Sequence, residues 1–188
     1  MIRLNAKELR TTTPDPERAK SIKKNPIFII LDNVLDTYNV GSIFRLADAV
    51  AAEKVYLCGE TLTPPNSRIK KASINTWQWV NWQWLQTPMD AIAKLKDQNP
   101  NVKIIAVEQD PGSKPFYEVR YEFPLAIVVG NETTGVSKEV LDMADSIVEL
   151  PMWGINKSLN VMVSLGIVLY EVMSREAGSA SGGKHYDH

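Results

Sequence analysis

The sequence predicts an α/β fold in which a mostly parallel sheet carries helices on both faces. Short apolar runs rich in β-branched residues alternate along the chain with segments whose apolar residues recur at helical spacing. The apolar runs are continuous rather than alternating, which is typical of strands that are covered on both sides. A length of 188 residues suits one domain of this class.

The first strand-to-helix unit begins at Pro26. The run PIFIILDNV is a predicted strand, and residues 1–25 before it are predicted to form a basic extension in which Thr-Thr-Thr-Pro interrupts any helix. The segment NVGSIFRLADAV is a predicted helix, and KVYLCG is the next strand. The apolar positions of that helix are Val40, Ile43, Phe44, Ala47 and Val50.

The alternation continues through the chain, so residues 26–175 are predicted to form the domain. The further segments are a helix in MDAIAKLKDQ, strands in VKIIAVEQ and PLAIVVGNE, a helix in SKEVLDMA, a strand in SIVELPM and a last helix from Leu159 to Ser174. Residues 176–188 are rich in Gly and Ser and are predicted to form a flexible tail.

Composition and charge narrow the class of protein. The formal net charge is −1, so the total charge does not indicate a nucleic-acid binder. Lys and Arg are nevertheless concentrated before residue 25 and in NSRIKKAS, where local patches can attract a polyanion. The single Cys58 excludes an intrachain disulfide and a multi-thiolate metal site. Since the sequence shows no signal peptide and no apolar run of the roughly 20 residues that span a bilayer, we expect a cytoplasmic protein without a membrane or metal partner.

Polar side chains follow the predicted strands, at the sheet edge where parallel α/β proteins bind ligands. Asn39, Gly41 and Arg45 come after the first strand. Asn39 lies near the helix start, where capping would explain it. Arg45 interrupts an apolar sequence almost two turns later, turned partly away from Asn39, and an ordinary exposed arginine is the alternative interpretation.

The second polar group is VVGNETTGVSKE. The spacing of Gly130 and Gly135 imitates a phosphate-binding P-loop, but Val136 stands where that motif requires lysine, so nucleoside triphosphate binding is excluded. What remains is a glycine-rich turn that exposes backbone amides, with the carboxylate of Glu132 at its apex. Ser137 is predicted to cap the following helix.

The third group lies in LPMWGINKSLNVMV. Ser158 is predicted to cap the last helix, a contact worth about 1 kcal/mol. Asn160 is then redundant as a cap, and we expect it to line a site. Ser158 is not predicted to be a hydrolase nucleophile, because Gly-x-Ser-x-Gly is absent and both histidines lie in the tail.

Together the three stretches resemble the SpoU (TrmH-like) class of the SPOUT superfamily of RNA methyltransferases. That class carries Asn-x-Gly-x-x-x-Arg, here Asn39 to Arg45, and Gly-x-Glu-x-x-Gly, here Gly130 to Gly135. It also carries Pro-Met-x-Gly-x-x-x-Ser-Leu-Asn-Val, here Pro151 to Val161. The order and separation of the motifs match over most of the chain.

The resemblance implies a deep trefoil knot, formed where the C-terminal segment passes through a loop, as an exception to the rule that chains do not knot. It implies a homodimer that binds S-adenosylmethionine in the knot and methylates a ribose 2′-hydroxyl of tRNA or rRNA. The cofactor is expected to contact backbone groups around Gly130, Leu150, Met152 and Leu159.

Catalytic roles are also implied by the resemblance. Arg45 matches the catalytic arginine of the class, with a site shared between subunits. We assign it first to holding an RNA phosphate and stabilising the developing alkoxide, and only second to removing the proton, because a guanidinium stays protonated at neutral pH and is a poor base. Asn39, Glu132, Ser158 and Asn160 are expected to orient Arg45 and the ribose.

Two residues depart from the class. Ala51 stands where a glycine often ends the first helix, and we expect the helix to end differently, since a left-handed alanine would cost on the order of 1 kcal/mol. Met162 replaces a small serine, and it either crowds the cofactor or fills the core. A non-catalytic knotted RNA-binding or assembly protein, which Met162 would support, and a base-methylating enzyme of the same fold are the alternatives.

Two further features bear on RNA. In TWQWVNWQWL, Trp77 and Trp79 are predicted to share one face of an extended segment, for which buried packing or a dimer contact is favoured over base stacking. The basic N-terminal extension is predicted to guide RNA to the site.

Overall fold

The computed structural model describes residues 3–179 of the 188-residue chain. Strands are present at β1 (Asn25–Asp32), β2 (Ala52–Cys58), β3 (Trp82–Leu85), β4 (Lys103–Val107), β5 (Lys114–Pro115), β6 (Leu125–Gly130) and β7 (Ser146–Glu149). Within the described residues these seven strands form one sheet in the order β3-β2-β1-β6-β4-β7-β5. Each neighbouring pair is parallel, as predicted.

Helices connect the strands and cover the sheet. They are α1 (Ala6–Thr11), α2 (Pro16–Ser21), α3 (Thr37–Ala49), α4 (Ser67–Ser73), α5 (Pro88–Gln98), α6 (Lys138–Met143) and α7 (Val161–Ser179), with a 3-10 turn at Thr76–Gln78. Of the helices in residues 3–179, none combines the length and the apolar character needed to cross a bilayer.

The core lies on both faces of the sheet, as the continuous apolar runs predict. Side chains of β1 alternate between the faces: Ile27 and Ile29 pack on the side of α3, α4 and α7, whereas Phe28 and Ile30 pack on the side of α5 and α6. The five apolar positions predicted for α3 are all buried. The predicted fold class is therefore confirmed in its sheet and its layers.

Several local predictions differ from the structure. The basic extension contains two short helices, each with an acidic or amide side chain at its N-cap: Asn5 begins α1 and Asp15 begins α2. NSRIKKAS forms α4, and the Trp-rich segment begins as a 3-10 turn rather than an extended strand. Trp79 is 7% exposed and Trp84 is 47% exposed, so packing accounts for the first of these but not for the second. The predicted tail lies almost wholly outside the described residues.

The last helix is tied to the loop that precedes β6. Arg175 donates from Nη1 to the carbonyl of Val119 at 3.0 Å and from Nη2 to the carbonyl of Tyr117. Its Nε donates to Glu171 one turn earlier on α7, at 2.7 Å. The C-terminal helix is thereby fastened to a segment more than fifty residues before it in the chain.

Ala51 ends the first helical unit in a left-handed conformation, with φ of 48°. Its N–H donates to the backbone carbonyl of Asp48 at 3.0 Å. Its own carbonyl accepts from the N–H of Asn25, the first residue of β1, at 2.8 Å. The expectation that the helix avoids this conformation is therefore wrong. The reason is that the backbone contacts on both sides of Ala51 require the left-handed turn whichever residue occupies it.

We predict that Ala51→Gly stabilises the protein by about 0.5–1 kcal/mol. Glycine relieves left-handed strain of about 1–2 kcal/mol, which exceeds the 0.4–1 kcal/mol of extra backbone entropy that it loses on folding. Urea unfolding measures the difference. Ala52→Gly, at the buried start of β2, is the matched control and should destabilise; a loss of stability in both variants would contradict the prediction.

Candidate active site

A cavity of about 480 Å³ lies at the carboxyl ends of the central strands. Its wall is built from the loops that follow β4, β6 and β7 and from the segment that leads into α7. The lining residues are 107–109, 129–133, 135, 149, 150, 152, 156, 158–161 and 164. All four residues predicted to hold a cofactor lie on this wall, namely Gly130, Leu150, Met152 and Leu159.

The glycine-rich turn brings backbone very close to backbone. A Cβ on Gly130 would lie 2.2 Å from the carbonyl carbon of Gly135 and from the nitrogen of Val136. Gly135 has φ of 72°, and a Cβ there would lie 2.2 Å from Glu108 Oε2. Asn131 closes the turn by exchanging two backbone hydrogen bonds with Gly135, at 2.9 and 3.1 Å. Side chains are thus excluded from both glycine positions, and the cavity wall here is main chain.

Glu132 joins the turn to the start of α3. Its carboxylate accepts hydrogen bonds from the backbone N–H of Leu35 and Asp36, both at 3.1 Å, and from Asn39 Nδ2 at 2.9 Å. Burial acts to raise the pKa of Glu132, but the hydrogen bonds from Asn39, from its own N–H and from Leu35 and Asp36 outweigh it and hold the pKa below its usual value. Glu132 is therefore an ionised positioning group rather than a proton carrier.

The same network reaches the start of α7. Asn39 is 6% exposed, and its Oδ1 accepts from Asn160 Nδ2 at 3.0 Å. A continuous line of hydrogen bonds therefore runs from Glu132 through Asn39 to Asn160. The three motif stretches meet at this line.

Of the three residues considered as helix caps, two are not caps, and the third, Ser137, is confirmed in its position only. Asp36, not Asn39, caps α3, by accepting from the N–H of Tyr38 at 2.8 Å. Asn160, not Ser158, caps α7, since its Oδ1 accepts from Met162 N at 2.9 Å and Val163 N at 3.4 Å. Ser137 occupies the N-cap position of α6 without a side-chain cap bond.

Asn160 therefore does two things with one amide: the oxygen caps α7 and the nitrogen binds Asn39. Ser158 lies on the exposed part of the wall, where its N–H donates to Asn156 Oδ1 at 3.3 Å. Its hydroxyl is left available to a ligand.

Arg45 is not brought into this network. It is exposed on α3, lies off the cavity wall, and makes no hydrogen bond or ion pair with any residue that the structure describes. The prediction that it turns away from Asn39 agrees with this placement. Arg45 therefore borders the site from outside.

Met162 is half-buried and packs against the apolar core, and it is not part of the cavity wall. Of the two interpretations left open for this residue, core filling is the one that the structure supports. The first turn of α7 presents Val161 and Ser164 to the cavity instead.

Two carboxylates were missed by the sequence analysis. Asp32, 1% exposed at the end of β1, accepts from Ser137 N and from Asn33 Nδ2, both at 2.8 Å. Glu108, directly after β4, accepts from Val136 N at 2.9 Å and lines the cavity. Both are acidic residues at the end of an apolar run, which is the signal that could have found them.

The cavity wall is acidic. Its ionisable lining side chains are Glu108, Glu132 and Glu149, and among the described residues that line it there is no Lys, Arg or His. A ligand with positive charge is favoured there, and a phosphate-rich ligand is disfavoured. No group of three or more potential metal ligands of the His, Cys, Asp or Glu type occurs within residues 3–179.

The chain is similar in sequence and in structure to RNA methyltransferases. The model of the SpoU rRNA Methylase family matches residues 26–170. The tRNA (guanosine(18)-2′-O)-methyltransferase of Aquifex aeolicus is 34% identical over 155 residues, which are 79% of this chain and 69% of that protein. The Escherichia coli K12 protein of the same name is 34% identical over 76% of this chain and 61% of its own length.

Among solved structures, an AdoMet-bound rRNA methyltransferase from Sinorhizobium meliloti is similar, with a TM-score of 0.74 and 27% sequence identity. The match covers 89% of this chain and 60% of that one. The chain thus spans about two thirds of the length of the relatives that it matches.

We predict that Glu132→Gln lowers the free energy of unfolding by about 1 kcal/mol at neutral pH, because the neutral amide offers one acceptor oxygen where the carboxylate offers two charged ones. The pKa of Glu132 is lowered from 4.5, so this contribution is present above pH 4.5 and disappears as the pH falls through the folded-state value. Urea unfolding at neutral and acidic pH should show the difference from the parent protein narrowing in acid.

Glu118→Gln is the matched control, since Glu118 is exposed and its side chain is outside the network. Equal losses in the two variants, or a Glu132→Gln effect that persists unchanged in acid, would contradict the assignment.

Proposed function

Since the chain belongs to the SpoU rRNA methylase family, we propose that it transfers a methyl group from S-adenosylmethionine to a ribose 2′-hydroxyl of tRNA or rRNA. The observation that carries the proposal is the acidic cavity at the carboxyl ends of the strands, walled by the loops after β4, β6 and β7 and by the segment that leads into α7. Its volume of about 480 Å³ is in the range of small-molecule sites.

The residues present fit this cofactor. S-adenosylmethionine carries positive charge on its sulfonium and its amino group, which the three wall carboxylates complement. Backbone groups around Gly130, Leu150 and Leu159 would hold the adenosine and methionine parts, and Met152 would pack beside them. When bound, the sulfonium supplies an electrophilic methyl group, so the reaction needs no metal.

The chain's own residues position the acceptor. The ribose hydroxyl must lie in line with the methyl group and lose its proton as the new bond forms. Ser158 and Asn160 line the cavity where a ribose would enter, and Glu132 holds Asn39 and Asn160 in place. Arg45, exposed and unpaired within the described chain, would bind an RNA phosphate and stabilise the developing alkoxide.

We also propose that the active form is a homodimer. Val163, Ile167 and Tyr170 lie one turn apart on one face of α7 and are 39%, 37% and 57% exposed. Trp153 and Ile155, in the segment before α7, are 89% and 103% exposed. A second copy would cover this apolar face next to the cavity and could bring its own Arg45 to the shared site.

The trefoil knot of the SPOUT fold is part of the same proposal. Its support is the contact of Arg175 on α7 with the loop before β6. In a knotted chain, the C-terminal segment would pass through such a loop. The non-catalytic alternative loses its support, because Met162 fills the core and leaves the cavity open.

Transfer of labelled methyl to unfractionated tRNA or to rRNA tests the proposal. We expect label in a 2′-O-methylnucleoside after complete digestion, and heat on titration of the protein with S-adenosylmethionine. Label in a base would replace ribose transfer with base methylation, and absence of both heat and transfer would overturn the proposal.

Arg45→Ala should reduce transfer by about 100-fold or more, the scale seen when a charge-stabilising donor is removed. Cofactor affinity should stay within about twofold, because Arg45 lies off the cavity wall. Arg120→Ala is the matched control, since Arg120 is an exposed arginine outside the three motifs and off the cavity wall. Full activity of Arg45→Ala would remove Arg45 from the mechanism.

Ile167→Asp should shift the protein towards monomers in sedimentation experiments, since a charge in the apolar face would be buried unpaired. Leu62→Asp, at a position 51% exposed in the loop after β2, should leave the oligomeric state unchanged. Dimers of unchanged stability in Ile167→Asp would place the interface elsewhere.

A further inference from the structure

The turn after α4 holds two consecutive residues in the left-handed region. Ile74 has φ of 53° and Asn75 has φ of 66°. A β-branched residue in this conformation is a genuine outlier, and each such residue costs on the order of 1–3 kcal/mol. A contact that depends on the turn would account for this strain.

Asn75 makes such a contact with the N-terminal extension. Its side chain is 7% exposed, and Nδ2 donates to the carbonyls of Leu9 at 3.3 Å and Arg10 at 3.1 Å. Those carbonyls belong to α1. The backbone N–H of Asn75 donates to the carbonyl of Lys70 in α4 at 3.4 Å. One residue thus fastens the last turn of α1 to the last turn of α4, although they are more than sixty residues apart in the chain.

This contact brings two basic groups together. Lys7 and Arg10 of α1 are exposed, as are the basic residues of α4, which are Arg68, Lys70 and Lys71. Within the described part of the chain, none of these five side chains has an ion pair or a hydrogen bond. The one carboxylate of α1, on Glu8, is engaged at the start of the helix, where it accepts from the N–H of Asn5 at 2.7 Å. Two helix ends that carry exposed, unpaired cations therefore lie next to each other.

The basic helix ends also adjoin the site. A Cβ on Gly41 would lie 2.6 Å from Ala72 Cβ and 2.8 Å from the carbonyl of Ile69, so α3 and α4 approach to backbone contact. Gly41 lies between Asn39 of the hydrogen-bond line and Arg45, one turn further along α3. The helix that carries Arg68, Lys70 and Lys71 is therefore packed directly against the helix that carries Asn39 and Arg45.

We propose that Lys7, Arg10, Arg68, Lys70 and Lys71 form one preorganised phosphate-binding surface for the RNA substrate, held together by Asn75. The identity of the ligand as RNA rests on the proposed function. RNA fits because a polyphosphate backbone meets several fixed cations at once, and a helix fastened at its end loses less conformational entropy on binding than a free arm. The N-terminal extension is then a docked helix rather than a mobile guide.

Coupled substitutions test this surface by RNA binding alone. Lys7→Gln with Arg10→Gln, and Lys70→Gln with Lys71→Gln, should each weaken binding of unfractionated tRNA or rRNA by about tenfold. Each pair should also reduce the slope of log affinity against log salt by up to about 1.4–1.8, the value for two phosphate contacts. Lys54→Gln with Lys96→Gln is the control pair, located on the opposite face of the sheet and expected to change neither quantity.

The variant Asn75→Gly tests whether the cations of α1 and α4 form one surface or two independent patches. Glycine accepts the left-handed conformation, so the variant removes the amide without adding strain. It should weaken RNA binding as much as the α1 pair does, and combining the two should weaken it no further. Additive losses, or RNA affinity within about twofold of the parent protein in Asn75→Gly, would overturn the proposal.

The outcome is distinguishable from failure of the proposed function. Unchanged S-adenosylmethionine affinity in the variants shows that they are folded. Salt-dependent RNA binding through these residues without methyl transfer would retain the surface and reject the activity. Methyl transfer that is indifferent to all these substitutions would retain the activity and reject the surface.

Discussion

The carboxylate of Glu132 organises the site, because it is the point at which three distant parts of the chain meet. Through it the glycine-rich turn after β6 holds the N-terminus of α3, and through Asn39 it holds the N-terminus of α7. The partners are separated by 93 and 121 residues along the chain. This line of hydrogen bonds joins three segments next to the cavity, and the same bonds that hold Glu132 there lower its pKa.

Electrostatics divides the molecule into two regions with different tasks. The cavity wall carries carboxylates, whereas α1, α4 and the exposed side of α3 carry unpaired lysines and arginines. Under the two proposals, this division would draw a cationic cofactor and a polyanionic RNA to neighbouring but separate surfaces. The net charge of −1 conceals this division, because it sums 21 basic and 22 acidic residues over the whole chain.

The sheet and most of its helices could be predicted from sequence because buried parallel strands leave continuous apolar runs. The site could be predicted as far as its loops, since its residues follow those runs. The assignment of caps could not: Ser158 and Asn160 are both good capping residues, and what selects Asn160 is its bond to Asn39. Ala51 was misjudged for a similar reason, because the contact of its carbonyl with Asn25 is not visible in the local sequence.

The position of α7 in the chain affects when the protein becomes competent during synthesis. The cap of α7 completes the hydrogen-bond line, and Arg175 fastens the helix to the loop before β6. A chain that has been synthesised only as far as β7 lacks α7, so the ligand-binding edge of its sheet is still open. The cavity is therefore completed only after α7 has been synthesised and has packed against the loop before β6.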